Sequence, residues 1–147
     1  MHVRTATMYQ QRVPTMKKLL VIDDERVMTR AVQQVAEALG FSVRVLNEPI
    51  RTIEEFIDFQ PDVVVLDMVM PEEDGLDLLD ELLLTGIPTR FVLICEFGRA
   101  YIRLAERIAQ FHRAEIAAVV HKPFRRGDLA RTLTRLVDDI ALMTLEP

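Results

Sequence analysis

The chain has 147 residues, half of them hydrophobic, with a formal net charge of -5 and a single cysteine. This length suits one domain with one core, and no apolar run approaches the ~18 residues that a membrane-spanning helix needs. A single cysteine excludes an internal disulfide bond and is typical of a protein of the reducing cytoplasm.

Five short apolar runs alternate with helical segments along the chain. The runs cover residues 19–22, 41–46, 63–66, 91–94 and 117–120. This alternation predicts a parallel sheet covered by helices on both faces, which is an α/β fold of five βα units. The expected domain covers residues 17–143, with a loose tail at 1–16, a short tail at 144–147 and no output domain.

Hydrophobic periodicity predicts the buried faces of the helices. In the first helix the expected buried stripe recurs at every fourth residue: Val27, Ala31, Val35 and Leu39. Asn47 is predicted to cap the second helix. A helix at 99–112 is predicted to turn five residues inward: Ile102, Leu104, Ala105, Ile108 and Phe111. The last helix, at 127–142, has a stripe of its own: Leu129, Leu133, Leu136 and Ile140.

Polar side chains follow four of the five predicted strands. Asp23 and Asp24 come after the first strand, Asp67 after the third, Cys95 after the fourth and Lys122 just after the fifth. The carboxyl ends of parallel strands lie at one edge of the sheet, where ligands bind. Three carboxylates repel one another when they lie close together, so a divalent cation is the natural counterion. The sequence therefore predicts a cation site at this edge.

These residues, in this order, resemble the receiver domain of bacterial response regulators. The matching motifs are Asp23-Asp24, the segment 67–75, which ends in Asp74-Gly75, and Lys122-Pro123-Phe124. The resemblance covers nearly the whole chain and implies a stand-alone CheY-like domain. Its implied fold is a flavodoxin-like (βα)5 doubly wound parallel sheet with strand order 2-1-3-4-5.

The resemblance also implies a role for each site residue. Asp67 would accept a phosphoryl group and become an aspartyl phosphate. Asp24 and Asp67 would bind Mg²⁺ directly and Asp23 through water, and the backbone carbonyl of Val69 would add a ligand. Lys122 would place its ammonium on the phosphoryl group. The donor would be a phosphohistidine on a histidine kinase or a histidine phosphotransfer protein, or a small phosphodonor. No reaction other than this self-catalysed transfer is expected.

The chain departs from the receiver pattern at two positions. Cys95 stands where receivers usually have Thr or Ser, and a thiol is a weaker hydrogen-bond donor than a hydroxyl. Val119 stands where Tyr or Phe is common, so the familiar Thr–aromatic switch is absent. The resemblance further implies a cis bond between Lys122 and Pro123. The segment 95–122 is similar to that of receivers found ahead of EAL phosphodiesterase domains, including Phe97.

Two other functions compete with phosphoryl acceptance. A receiver-fold binding module that acts independently of phosphorylation is favoured by Cys95 and Val119 but opposed by the complete acidic set. A haloacid dehalogenase-type phosphatase would need a second Asp two residues after Asp67 as its proton donor, and Val69 stands there. Nucleic-acid binding is not expected, because the arginines lack interleaved aromatic residues.

Charge divides the chain into two parts. Residues 23–96 hold 17 acidic and 5 basic residues, whereas residues 97–140 hold 5 acidic and 9 basic ones. Arginines recur at every fourth residue in the second part: Arg99, Arg103, Arg107, Arg131 and Arg135. Opposite charges of this kind suit electrostatic pairing, so the face formed by the fourth helix, fifth strand and last helix is predicted to support a homodimer.

Overall fold

Residues 17–96 and 98–145 are described by a computed structural model of the chain. Its five main strands are β1 Lys17–Ile22, β2 Phe41–Leu46, β3 Val63–Asp67, β4 Arg90–Cys95 and β5 Ile116–His121. Its five α-helices are α1 Arg26–Ala38, α2 Thr52–Phe59, α3 Gly75–Leu84, α4 Arg99–Phe111 and α5 Arg126–Leu145. The tail at 1–16, Phe97 and the last two residues of the chain lie outside the described residues.

The main strands form one parallel sheet in the order β2-β1-β3-β4-β5. The predicted order 2-1-3-4-5 is therefore confirmed. A 3₁₀ turn, Pro49–Arg51, leads into α2. A small antiparallel hairpin, in which Val69–Met70 pairs with Glu73–Asp74, follows β3. The hairpin connects the carboxyl edge of the sheet to α3.

Both faces of the sheet are covered, so its central strands are apolar between their polar end residues. Alternate residues of β1 point to opposite layers. One layer packs α1 and α5 on the sheet, and the predicted stripe of Leu129, Leu133 and Leu136 is buried there. The other layer buries Phe56 of α2 and Leu78, Leu79 and Leu82 of α3. Within the described ranges, no helix has both the length and the apolar character needed to cross a membrane.

The predicted buried stripe of α1 is wrong in its first residue. Val27 is 83% exposed, and the fully buried positions are Thr29, Val32 and Ala36. A helix advances about 400° over four residues, so a strict four-residue stripe drifts by about 40° at each step. The buried face instead follows alternating steps of three and four residues.

The predicted inward face of α4 is wrong at two of its five residues, Leu104 and Phe111, whereas Ala105 is buried and Ile102 and Ile108 are partly buried. Leu104 is 49% exposed and Phe111 is 84% exposed, whereas Ala105 and Ala109 are buried. Adjacent residues lie about 100° apart on a helix, so a modest rotation decides whether Leu104 or Ala105 faces the sheet. Ala105 packs in the apolar layer on this side of the sheet, and Leu104 and Phe111 lie outside it.

A close backbone approach fixes the start of α3. A Cβ added to Gly75 would lie 2.5 Å from the Met68 carbonyl oxygen and 2.6 Å from its Cα. Gly75→Ala is therefore expected to lower the free energy of unfolding by about 1–3 kcal/mol, because backbone must shift to accept the methyl group. Urea denaturation measures this change. Gly127→Ala is the matched control, since its added methyl would meet only the flexible end of Arg131 at 3.5 Å; equal destabilisation of both variants would contradict the argument.

Candidate functional site

Three carboxylates converge at the carboxyl edge of the sheet. Asp23 and Asp24 follow β1, and Asp67 is the last residue of β3. One oxygen from each lies within 4.8 Å of the others. Asp23 and Asp67 are buried, whereas Asp24 is exposed. The structure thus brings together the three acids that the strand ends predicted.

Hydrogen bonds hold the loop that carries Asp23. The backbone N–H of Glu25 donates to Asp23 Oδ1 at 2.9 Å. The side-chain amide of Asn47 donates to the Asp23 carbonyl oxygen at 2.9 Å and to Thr29 Oγ1 at 3.0 Å. The predicted capping role of Asn47 is wrong, because neither the 3₁₀ turn nor α2 has a side-chain cap. Asn47 instead fixes the acidic loop to the end of β2.

The Asp23 carboxyl is strongly perturbed. Burial raises its pKa from the ordinary value of 3.8 to about 7, and the neighbouring Asp67 carboxylate adds to this effect. The Glu25 N–H and the Lys122 ammonium partly oppose it by stabilising the ionised form. Without a cation, negative charge on Asp23 therefore costs free energy near neutral pH.

Each buried carboxylate has one oxygen without a donor. Asp67 Oδ1 accepts the Val69 N–H at 3.1 Å and lies 3.5 Å from Lys122 Nζ. Asp67 Oδ2 and Asp23 Oδ2 are buried and have no hydrogen-bond partner among the described residues. Unpaired buried oxygens are costly, and hard carboxylate oxygens are the ligands that Mg²⁺ prefers. The donor set therefore fits a divalent cation.

Lys122 places its ammonium beside the acids. Its backbone N–H donates to the Cys95 carbonyl oxygen at 3.0 Å, and its side chain is 12% exposed. The bond to Pro123 is cis, as the resemblance to receivers implied. Burial alone would lower the pKa of Lys122, but the nearby carboxylates, Asp67 foremost, raise it above its ordinary value. Lys122 is therefore firmly cationic.

The two departures from the usual receiver pattern lie close to this edge. Cys95 is the buried last residue of β4, and Val119 is a half-buried residue of β5 that pairs with Leu93. His121 is exposed. His112 packs at the end of α4, where its Nε2 lies 2.6 Å from Asp80 Oδ1 of α3.

Sequence reasoning missed Tyr101, in the first turn of α4. Its hydroxyl lies 3.3 Å from the Met68 carbonyl oxygen and 3.4 Å from Asp74 Oδ1, so it can donate to the loop that follows Asp67. Burial raises the pKa of Tyr101, and the Asp74 carboxylate adds to the rise. The available signal was an aromatic residue with a hydroxyl on the helix that follows Cys95. Tyr101 therefore links α4 to the loop that follows Asp67.

Comparisons with solved structures agree with this architecture. A receiver-domain crystal structure from Bermanella marisrubri has a TM-score of 0.71 at 22% identity and covers 84% of this chain and 99% of its own. The chemotaxis response regulator CheY4 of Vibrio cholerae has a TM-score of 0.69 at 19% identity, covering 83% and 99% respectively. At these identities the similarity shows the fold, which is flavodoxin-like as predicted.

Curated relatives match part of their length. Response regulator MprA of Mycobacterium ulcerans is 27% identical over 130 residues, which is 84% of this chain and 54% of that protein. A protein-glutamate methylesterase/protein-glutamine glutaminase of Rhodospirillum rubrum is 38% identical over 71 residues, which is 48% of this chain and 19% of that protein. The chain thus spans about half, or less, of the length of these relatives.

A model of one family covers most of the chain. The response regulator receiver domain model matches residues 19–134, a range that runs from within β1 into the first half of α5 and contains all four charged residues of the site. The order of the elements, the acidic edge and the lysine after β5 agree with that match. The chain therefore belongs to the response regulator receiver domain family.

Proposed function

We propose that this protein accepts a phosphoryl group on Asp67 and signals in the phosphorylated state by protein–protein interaction. The observation that carries the proposal is the position of Lys122 Nζ, 3.5 Å from an oxygen of the buried Asp67 carboxylate. A fixed ammonium beside a buried carboxylate can offset the charge of a phosphoryl group that arrives there. The donor is a phosphohistidine on a histidine kinase or phosphotransfer protein of the cytoplasm.

The transfer forms one bond at Asp67 and breaks one bond in the donor. An Asp67 oxygen forms a bond to phosphorus while the phosphorus–nitrogen bond of phosphohistidine breaks, and the bonding pair returns to the imidazole. Lys122 holds positive charge near the transferred oxygens. When bound, Mg²⁺ supplies further positive charge to those oxygens; Asp24 and Asp67 would hold it directly and Asp23 through water, with the Val69 carbonyl as a further ligand. The protein acts on no other substrate in this proposal.

Intact mass spectrometry tests phosphoryl acceptance directly. The protein is incubated with acetyl phosphate and Mg²⁺, and a parallel sample contains EDTA. The expected result is the addition of one phosphoryl group in the Mg²⁺ sample and little addition in EDTA. An unmodified protein in both samples would favour the alternative function, a receiver-fold binding module that acts independently of phosphorylation.

Cys95 is expected to weaken the response to phosphorylation. A thiol donates a weaker hydrogen bond than a hydroxyl, so Cys95→Thr or Cys95→Ser should favour the phosphorylated conformation by roughly 0.5–1.5 kcal/mol. Hydrogen exchange across residues 98–120, compared before and after complete phosphorylation, should show a larger change in these variants than in the parent. An equal change would indicate that Cys95 serves packing alone.

We also propose that the α4-β5-α5 face supports a homodimer. Arg99, Arg103 and Arg107 are exposed on α4, and so is the apolar side chain of Phe111. Asp138 and Asp139 are exposed on α5. An isologous contact would set the arginines of one copy against the acids of the other. Exposed ion pairs contribute only about 0–1 kcal/mol each, so the dimer should be weak and sensitive to salt.

Sedimentation with beryllofluoride and Mg²⁺ measures this association. Arg103→Glu is expected to weaken the dimer at low salt and to have little effect at high salt. Arg30→Glu, which makes the same charge reversal at an exposed position of α1, is the matched control and should dimerise like the parent. A parent protein that stays monomeric under all conditions would rule out the homodimer.

A further inference from the structure

Two glutamates lie beside the ammonium of Lys122. Glu96 Oε1 is 3.9 Å from Lys122 Nζ and Glu25 Oε1 is 4.0 Å away. Glu96 comes directly after β4, and Glu25 immediately precedes α1, so they approach the lysine from two different loops. Both side chains are more than half exposed, unlike Lys122 itself. The ammonium next to Asp67 is therefore shared with two carboxylates at the surface.

These glutamates also line the cleft that opens beside Lys122. The cleft has a volume of about 580 Å³ and is lined by both carboxylates, Lys122 and apolar side chains that include Met28 and Phe124. Because Lys122 Nζ is also 3.5 Å from Asp67 Oδ1, each glutamate lies within about one Debye length of the acceptor oxygen. A phosphodonor at Asp67 therefore experiences their negative charge.

We infer that Glu25 and Glu96 select the phosphodonor by charge, disfavouring small anionic donors relative to a protein donor with a basic surface. This inference rests on the proposed function, phosphoryl acceptance by Asp67. A free acyl phosphate brings negative charge toward two carboxylates and competes with them for Lys122. A protein donor that presents lysines or arginines around its phosphohistidine neutralises both glutamates as it docks. The glutamates thus favour phosphoryl transfer from a protein donor over phosphorylation by free acyl phosphates.

Two small phosphodonors of different charge distinguish repulsion by the glutamates from a change in the reactivity of Asp67 toward every donor. With acetyl phosphate, a dianion near neutral pH, the phosphorus–oxygen bond breaks and acetate leaves with the bonding pair as Asp67 binds phosphorus. With phosphoramidate, which carries less net negative charge, the phosphorus–nitrogen bond breaks and the amine leaves as ammonia. Asp67 is the acceptor in both cases, so the ratio of the two rates reports how strongly the site repels an anion.

The experiment measures initial phosphorylation rates with Mg²⁺ at low and high salt for Glu96→Gln, Glu25→Gln and the double variant. Each single variant is expected to react roughly two- to fivefold faster than the parent with acetyl phosphate at low salt, with a smaller gain for phosphoramidate and little gain at high salt. Glu37→Gln removes the same charge from an exposed position near the other end of α1 and should leave both rates unchanged.

Two results would overturn the inference while leaving the proposed function intact. The first is equal rates in the parent and the variants. The second is an equal change with both donors, including an equal loss, which would mean that the glutamates only position Lys122. If the parent takes up no phosphoryl group from either donor, the proposed function fails and the inference fails with it. Circular dichroism of each variant confirms that the rates compare folded proteins.

Discussion

Asp67→Asn is expected to abolish phosphoryl uptake from acetyl phosphate in the presence of Mg²⁺. The amide keeps the size and shape of the carboxylate, so the buried end of β3 should stay folded. It is a much poorer nucleophile toward phosphorus, and it removes one of the three carboxylates of the acidic cluster. Intact mass spectrometry of the variant, under conditions that label the parent completely, measures the loss.

The matched control for Asp67→Asn is Asp58→Asn. Asp58 is an acid of α2 that pairs with Arg44, away from the acidic cluster. This variant undergoes the same chemical change and should be phosphorylated at the parent rate. Full labelling of Asp67→Asn would show that the phosphoryl group resides on another residue and would contradict the proposed acceptor. Failure of both variants to react would point to loss of folding, which circular dichroism detects.

The parts of the fold that depend on local sequence pattern were predictable. β2 begins and ends where its apolar run does, and the leucine stripe of α5 is buried as the periodicity indicated. The errors concern which side of a helix faces the sheet. In α4 the choice between Leu104 and Ala105, both of which were predicted to face inward, depends on how the helix is rotated against its neighbours, and only Ala105 is buried. That choice is a tertiary packing property, which a periodic pattern within one helix does not contain.

The candidate site also has a part that was predictable from the sequence and a part that was not. The position of Asp23, Asp67 and Lys122 follows from topology alone, because parallel strands deliver their carboxyl ends to one edge. The contacts of Asn47 and Tyr101 do not, because each reaches a loop far away in sequence. Their partners depend on strand order and on the path of loops, neither of which has a local signal. The charged residues of the site were therefore predictable, whereas the residues that hold its loops in place were not.

We also expect a large effect of Asp23 on stability, because its buried charge opposes folding when no cation is bound. Its folded pKa of about 7 lies above its ordinary value, so the folded state binds more protons than the unfolded state between about pH 4 and pH 7. The contribution of Asp23 to the free energy of unfolding is therefore lost as pH rises through this window. One pKa unit corresponds to about 1.4 kcal/mol, so the loss is on the order of 2–4 kcal/mol at about pH 8.

Asp23→Asn should remove this loss, because an amide stays neutral at every pH and its oxygen can still accept the Glu25 N–H. In EDTA at about pH 8 the variant is expected to melt roughly 5–10 °C above the parent, and at about pH 4 the two should melt together. Mg²⁺ should stabilise the parent more than the variant, because the ion binds only the folded state and the variant lacks one carboxylate. Scanning calorimetry measures both differences, with Asp138→Asn as the control at an exposed position. A variant that melts below the parent in EDTA at about pH 8 would show that the Asp23 charge stabilises the metal-free fold.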